Sequence, residues 1–193
     1  IRYAAMQKGF DVNHISIKDM DASIGIQITK GDNFNIRIRN LALKEKSGLN
    51  LQKSYILSDI SKNKCNIPIF QIETGESKIN AHSIELVLCN KNIQKGKGVI
   101  ENTNINLCDL NPFFQKQQFP DRTYTLNSDF TINEGIVTSR DISINRGKEA
   151  DISVYALYKN QKNFTVQIKK LNLSEKETTS LSQIFTKDTT LSK

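Results

Sequence analysis

The chain has 193 residues, of which 37% are hydrophobic, and its formal net charge is +7. This composition excludes a disordered chain, and no apolar run approaches the roughly 18 residues that a membrane-spanning helix needs. Lysines are spread along the whole chain and Trp is absent, so we expect a solvated basic face and no nucleic-acid partner. Because the sequence begins at Ile1, we expect residues 1–193 to be a single β-rich segment of a larger protein, with any membrane anchor outside it.

The first predicted element is a short helix over residues 1–9, ended by Gly9. A β-sheet body is predicted over residues 12–173. Its first hairpin folds about Gly31, which places the apolar side chains of both strands on one face. The predicted pairs are Ile24 with Ile38, Ile26 with Ile36, and Ile28 with Phe34.

Two irregularities follow this hairpin. After Asn40 the apolar residues change phase at Leu41 and Leu43, which predicts a bulge or a strand end. Pro68 lacks a ladder donor, so its strand is expected to be an edge strand or to be bulged there.

The central stretch, residues 79–114, is predicted as two strands and a cap. The first strand carries inward aliphatic side chains and is followed by a polar Lys/Gly turn near Gln94. These aliphatics are Ile84, Leu86 and Leu88, and the second strand carries Ile105 and Leu107. Residues 109–112 (DLNP) stop the second strand, and Phe113 and Phe114 follow, with core packing as the expectation for both.

Beyond Pro120 the alternation predicts a four-strand antiparallel meander with one apolar face and one wet face. Turns are placed at Glu134, at residues 146–147 and at residues 159–163. The predicted pairs are Ile132–Ile136, Phe130–Thr138, Leu126–Ile142, Tyr124–Ile144, Ile144–Ile152, Ile142–Val154, Tyr158–Phe164, Ala156–Val166 and Val154–Ile168. Ser174 and Glu177 then form a capping box that predicts a short helix over residues 175–186.

The three cysteines, Cys65, Cys89 and Cys108, are too few and wrongly spaced for a disulfide framework or a structural zinc site. A turn near Gln94 would place Cys89 opposite residues 99–100 and away from Cys108. We therefore predict buried, unpaired thiols.

Motifs for catalysis are missing. The sequence holds no G-x-S-x-G, no phosphate loop and no H-E-x-x-H. His14 and His82 have no ligand at metal-binding spacing, and Asp19 and Asp21 are interpreted as a solvated turn. We predict no enzyme, no cofactor, and no catalytic or metal site. An enzyme would require those aspartates or histidines to converge in one cleft.

The predicted fold class is mainly β, an elongated antiparallel meander of about a dozen short strands with short terminal helices. Its apolar side can be hidden in a two-sheet sandwich or inside one curled sheet filled by acyl chains. Medium aliphatics without Trp, and strands that follow their neighbours, favour the curled sheet. Twelve strands would extend ~60 Å.

The segment I-x-L-C-D-L-N-P-F-F, residues 105–114, resembles the strand and D-L-x-x-F ending of AsmA-like translocation and assembly proteins, the TamB group. Residues 43–51 (LKEKSGLNL) resemble a segment of the Bacteroidetes-type members of this family. The resemblance implies a β-taco-like groove in a protein of the bacterial cell envelope, on the periplasmic side and anchored in the inner membrane.

The resemblance also implies function. Such proteins carry phospholipid between the inner and outer membranes and support outer-membrane protein assembly and secretion, which makes acyl chains and an outer-membrane barrel the expected partners. The alternative is a non-catalytic structural or adhesive β-sandwich of an envelope or surface protein. Under the family interpretation, the groove lining is Ile24, Ile26, Ile28, Phe34, Ile36, Ile38, Ile84, Leu86, Leu88, Ile105, Leu107, Leu126, Phe130, Ile132, Ile142, Ile144, Ile152, Val154, Phe164, Val166 and Ile168.

Overall fold

A computed structural model describes residues 16–29, 33–46, 48–89, 92–113, 118–159 and 163–186. Within them lies one antiparallel sheet of ten strands, whose order in space is their order in sequence. The strands are β1 (Ile17–Thr29), β2 (Asn33–Glu45), β3 (Asn50–Ser61), β4 (Lys64–Thr74), β5 (Ser77–Cys89), β6 (Asn92–Asn106), β7 (Thr123–Asn133), β8 (Ile136–Arg146), β9 (Ala150–Lys159) and β10 (Asn163–Leu173). A 3-10 helix (Leu107–Phe113) joins β6 to β7, and helix α1 (Glu175–Thr186) follows β10. The predicted helix over residues 1–9 lies outside the described residues.

The sheet is open. Among the described residues, strands pack substantially only on their sequence neighbours, so β1 and β10 are the two edges of the sheet, which is neither closed nor strongly curled. The described residues form no second sheet, so they do not make a sandwich. Instead of about a dozen short strands there are ten, of 10 to 15 residues each. The predicted strongly curled, β-taco-like sheet is also wrong, because alternation in a sequence reports which face is apolar but does not determine how far the sheet bends.

The hairpin registers predicted from Gly31 and for the last three strands are confirmed. β1 pairs with β2 as Ile24–Ile38, Ile26–Ile36 and Ile28–Phe34. β9 pairs with its two neighbours as Ile144–Ile152, Ile142–Val154, Tyr158–Phe164, Ala156–Val166 and Val154–Ile168. In these hairpins the apolar residues of both strands fall on one face, which fixes the register.

The register of β7 against β8 differs from the prediction. Glu134 and Gly135 both have positive φ, 49° and 78°, and form a two-residue turn, so that Asn133 pairs with Ile136. Val137, rather than Ile136, therefore lies opposite Ile132. A bulge farther along moves Leu126 opposite Ile144. All four predicted β7–β8 pairs are wrong for this reason: Ile132–Ile136, Phe130–Thr138 (Thr138 lies opposite Thr131), Leu126–Ile142 and Tyr124–Ile144.

The β5–β6 hairpin also turns elsewhere. β6 begins at Asn92, and Cys89 pairs with Asn92, so the Lys/Gly stretch lies inside a strand instead of forming the turn. Cys89 is exposed rather than buried, while Cys65 and Cys108 are partly buried, and all three are free. Leu107 is the first residue of the 3-10 helix and not part of β6.

Both predicted irregularities are bulges. The β1–β2 ladder has a register shift between Ser23 and Ile24. β2 therefore continues past Asn40, with its apolar residues in the other phase. In the β3–β4 ladder a shift between Leu57 and Asp59 accommodates the segment that contains Pro68. Neither feature ends its strand, and β4 is an interior strand.

Two short elements cover one end of the sheet, where β6 and β10 finish. The 3-10 helix lies against the β4–β5 turn, where Asp109 Oδ2 accepts a hydrogen bond from the Glu76 amide at 3.0 Å. α1 covers residues 175–186, as the capping box predicts. The Glu177 amide donates a hydrogen bond to Ser174 Oγ at 3.2 Å. Phe113 is 46% exposed, so its predicted core packing is wrong, and Phe114 lies outside the described residues.

Candidate functional site

One face of the sheet carries an apolar row that crosses all ten strands. Residues directly opposite each other on neighbouring strands point to the same face, so a chain of such pairs traces a face across the sheet. We call this chain the edge-to-edge row. It consists of Ile28, Phe34, Ile60, Cys65, Leu86, Gly96, Ile132, Val137, Tyr158 and Phe164, in strand order. No member of the row carries a formal charge at neutral pH.

A parallel row extends across most of the sheet, four or five residues away along each strand. It consists of Ile24, Ile38, Ile56, Phe70, Ala81, Ile100 and Ser128 on β1 to β7. On β8 to β10 the same face carries Ile142, Val154 and Ile168, which pair in sequence. The two rows define the apolar face of the sheet.

The structure brings together on this apolar face every predicted lining residue except Leu107. It also adds residues that sequence reasoning did not assign to the lining, among them Ile56, Ile60, Phe70, Ile100 and Val137. Bulges in β3 and β4 interrupt the alternation, so the sequence did not show which of their apolar residues share a face. Pro68 does signal one of these bulges. Val137 was missed through the incorrect turn at Glu134.

The apolar face is largely uncovered. Among the described residues, the buried hydrophobic side chains are only Ala81, Tyr124 and Ala150. Exposure is greatest at the two edges, where Ile28 is 70% and Phe164 67% accessible. A sheet normally packs its apolar face against a second layer, and a contiguous uncovered apolar surface marks a binding site. The apolar face is therefore the candidate site.

Near the centre of the sheet the face is tightly packed against its own backbone. Phe130 lies over Gly98, and a Cβ at that position would come within 2.5 Å of the Phe130 Cζ atom and 2.9 Å of Ile84 Cγ1. The hydroxyls of Ser128 and Ser139 hydrogen-bond to each other on the same face, and the hydroxyl of Ser58 lies 3.4 Å from Cys65 Sγ. Small residues thus lie beneath or beside the larger apolar side chains of this face.

α1 closes one end of the face through a buried carboxylate. Glu177, which is fully buried, accepts a hydrogen bond from Arg146 Nη1 at 2.7 Å and further hydrogen bonds from Arg122 and the Tyr124 hydroxyl. Burial raises the pKa of the Tyr124 hydroxyl, and its hydrogen bond to the Glu177 carboxylate raises it further. In a capping box the Ser174 amide would donate a hydrogen bond to the Glu177 carboxylate. Here that carboxylate is directed to the arginines, and the Ser174 amide donates instead to the Glu149 carbonyl at 2.8 Å.

The opposite face is polar and carries paired charges. Lys78 lies 3.4 Å from Glu73, and Lys97 lies 3.2 Å from Glu85. Each of these pairs is well exposed, so it contributes little to stability. The charges keep this face hydrated.

The residues considered for catalysis do not meet. Asp19 and Asp21 are exposed on β1, in a strand and not in the predicted turn, whereas His82 lies on β5 and contacts Glu101 at 3.2 Å. Three strands separate β1 from β5. His14 lies outside the described residues. Within the described ranges, no three His, Cys, Asp or Glu side chains form a group that could hold a metal ion.

In the part of the chain that the structure describes, no helix has the length and apolar character needed to cross a membrane. No protein family, curated protein or solved structure matches the chain.

Proposed function

We propose that the apolar face binds the acyl chains of phospholipids. On this proposal the chain is a segment of an AsmA/TamB-like cell-envelope protein that carries phospholipid between the inner and outer membranes and supports outer-membrane protein assembly and secretion. The single observation that carries the proposal is the uncovered apolar face, which reaches both edges of the sheet at Ile28 and Phe164.

The dimensions of the sheet suit such a ligand. Ten strands spaced ~4.8 Å apart extend ~48 Å along the rows. An acyl chain occupies half of a hydrocarbon core that is ~30 Å thick, which is about 15 Å. Several chains therefore fit along one row, and fully burying an exposed Val, Ile, Leu or Phe side chain contributes about 1.5–3 kcal/mol, with less for the half-buried ones.

The shape of the apolar face suits movement of a lipid as well as binding. The edge-to-edge row crosses all ten strands without a charged member, so an acyl chain could move along it without passing a charge. This continuity supports a conduit rather than a single closed pocket. A periplasmic location, an anchor in the inner membrane and an outer-membrane barrel partner are parts of this proposal.

The second candidate, a structural or adhesive β-sandwich, makes a different prediction. It requires a second sheet to lie on the apolar face, whereas the described residues supply one sheet. A protein of this kind would hold no lipid when purified.

Native mass spectrometry of the detergent-free protein, with chromatography of the extracted lipid, tests the proposal. We expect bound phospholipid in the wild type and at least a fivefold loss in the double variant Ile36→Asp/Ile142→Asp. The matched control is Gln71→Asp/Thr131→Asp, which adds the same charge at exposed residues on the polar face and should retain the lipid. Circular dichroism verifies that both variants are folded. Wild-type protein that is folded and free of lipid would overturn the proposal.

A further inference from the structure

We propose that β1 and β10 form a head-to-tail interface between two copies of this chain, which joins their sheets into one. The edge of β10 on one copy would pair with the edge of β1 on the next. The inference concerns the edges of the sheet and does not depend on what covers the apolar face.

Both edges are long and poorly protected against pairing. β1 has 13 residues and β10 has 11, and neither contains proline. Every residue of β1, and all of β10 up to Asn172, is exposed. An edge strand presents unpaired backbone N–H and C=O groups, and natural edges that must remain single are short, interrupted by proline or a bulge, or charged along their length. Each edge strand has one bulge, at Lys18 in β1 and at Lys169 in β10, so residues 24–29 and 163–168 remain regular and available for pairing. The segment from Phe164 to Ile168 carries no charge at all.

The directions of the two edge strands match. Strand direction alternates through an antiparallel meander, so the tenth strand runs opposite to the first. A second copy displaced along the sheet therefore presents its β1 antiparallel to β10 of the first copy. Antiparallel pairing is also how every other neighbouring pair in the sheet is joined.

The side chains match in the same arrangement. Ile24, Ile26 and Ile28 lie on the apolar face of β1, 54%, 64% and 70% exposed. Their counterparts on β10 repeat the same two-residue spacing and are 67%, 50% and 57% exposed: Phe164, Val166 and Ile168. Setting Phe164 opposite the partner copy's Ile28 continues the edge-to-edge row from one sheet into the next and covers the most exposed apolar side chains of both.

The charges of the two edges are complementary. β1 holds one lysine and two aspartates, a net charge of −1, and β10 holds two lysines, a net charge of +2. Asp19 and Asp21 lie near the start of β1, and Lys169 and Lys170 lie near the end of β10, so antiparallel pairing brings them together. On the polar face Asp21 bonds to Asn40, while Lys169 contacts Asp141 and Lys170 contacts Asp151, so the aspartates of the partner copy would share lysines that already have a carboxylate neighbour.

This complementarity selects head-to-tail pairing over pairing of like edges. A two-fold β10–β10 contact would bring two basic edges together, and a β1–β1 contact would bring two acidic ones together. Either would also leave one edge of each copy uncovered. A head-to-tail contact leaves one free β1 and one free β10 at the ends of every open assembly, so the assembly should grow with concentration, either into a closed ring or into a filament.

Sedimentation velocity over a wide concentration range tests the inference. We expect the weight-average mass of the wild type to rise at least twofold. Asp19→Lys/Asp21→Lys should remain monomeric, as should Lys169→Glu/Lys170→Glu, because each variant carries like charges on both edges. An equimolar mixture of the two variants should associate again, since each then meets an opposite charge on the other. Failure of the mixture to associate, or a wild type that is monomeric throughout, would overturn the interface.

Cysteine cross-linking distinguishes this interface from stacking of apolar faces. In a background with all three native cysteines changed to Ser, Gln27→Cys and Thr165→Cys occupy facing positions of the proposed pairing. We expect the mixed single-cysteine proteins to form a heterodimer under mild oxidation. Thr131→Cys, in the interior strand β7, is the control and should form at least tenfold less with either partner. Association with no enrichment of the Gln27–Thr165 cross-link would indicate face-to-face stacking and contradict the proposal.

Discussion

The carboxylate of Glu177 and the guanidinium of Arg146 meet at 2.7 Å, one on helix α1 and the other at the end of β8. Arg122 and Tyr124 share the same carboxylate, which has no exposure to solvent. Removing one partner from a buried ion pair leaves an uncompensated charge, which costs far more than an exposed pair contributes. This cluster therefore attaches α1 to the sheet.

We predict that Glu177→Gln weakens the docking of α1 by about 3 kcal/mol, because two arginines lose their counter-charge. Hydrogen exchange of the amides in residues 175–182 should accelerate, with little change in the interior strands. Glu175→Gln, at an exposed position on the same helix, serves as the control and should exchange almost as the wild type does. Equal protection in both variants would show that the helix is held by other contacts.

A second prediction concerns Gly98, which lies beneath the ring of Phe130. Gly98→Ala places a Cβ 2.5 Å from that ring, so the ring must move, and we expect a loss of about 1–3 kcal/mol in the free energy of unfolding. Gly25→Ala is a suitable control, since the nearest atom to its added Cβ is the Arg37 carbonyl oxygen at 3.9 Å. Denaturant unfolding compares the two. Adding Phe130→Leu to Gly98→Ala should recover part of the loss.

A third prediction follows from the pKa of Glu149. The hydrogen bond from the Ser174 hydroxyl holds the pKa of this carboxyl below its usual value, with smaller help from Lys176 and Arg146. A carboxyl whose folded pKa is lowered contributes stability above its unfolded pKa of about 4.3, and this contribution is lost as the pH falls toward the folded value. Protection of the α1 amides should therefore decrease below about pH 4.3.

Glu149→Gln isolates this effect. The variant should already show reduced protection of α1 near neutral pH, and its protection should change less than that of the wild type on acidification. If both proteins respond to acid identically, another carboxyl governs the transition.

A fourth prediction compares two cysteines. Burial raises the pKa of the Cys108 thiol, and the nearby carboxylates of Asp109, Asp121 and Glu76 raise it further. Since the thiolate is the reactive form, Cys108 should be alkylated at least several-fold more slowly than the exposed Cys89 near pH 8. Iodoacetamide labelling followed by peptide mass spectrometry measures both rates in one sample. Similar rates at the two residues would contradict this prediction.

The register of the sheet could be predicted where one apolar period and one simple turn agree. The β1–β2 pairing was predicted from folding about Gly31, and the pairing of the last two hairpins was predicted from their alternation. Where the turn was shorter than assumed, at Glu134 and Gly135, the pairs of β7 with β8 moved by one residue near the turn and by two beyond the bulge. Positive φ at both turn residues is a property of the folded backbone that Glu134 does not signal.

The candidate site could be predicted as a set of residues on one face but not as a shape. Ile24 and Ile168 lie on opposite edges of the sheet, yet both were assigned correctly to the apolar face. The alternation within each strand shows which of its side chains are on the apolar face, without information on the distance between strands. The Glu177 cluster could not be predicted, because the same residue satisfied a capping box and its arginine partners are distant in sequence. A buried ion pair of this kind depends on tertiary placement alone.

The strict neighbour-to-neighbour order of the ten strands makes the length of the apolar face a matter of hairpin number. Removing or duplicating one hairpin preserves the direction of every remaining strand and shifts the far edge by ~10 Å. No distant contact has to be rebuilt, because strands pack substantially only on their sequence neighbours. Evolution could therefore lengthen or shorten such a surface two strands at a time, and a designer could do the same.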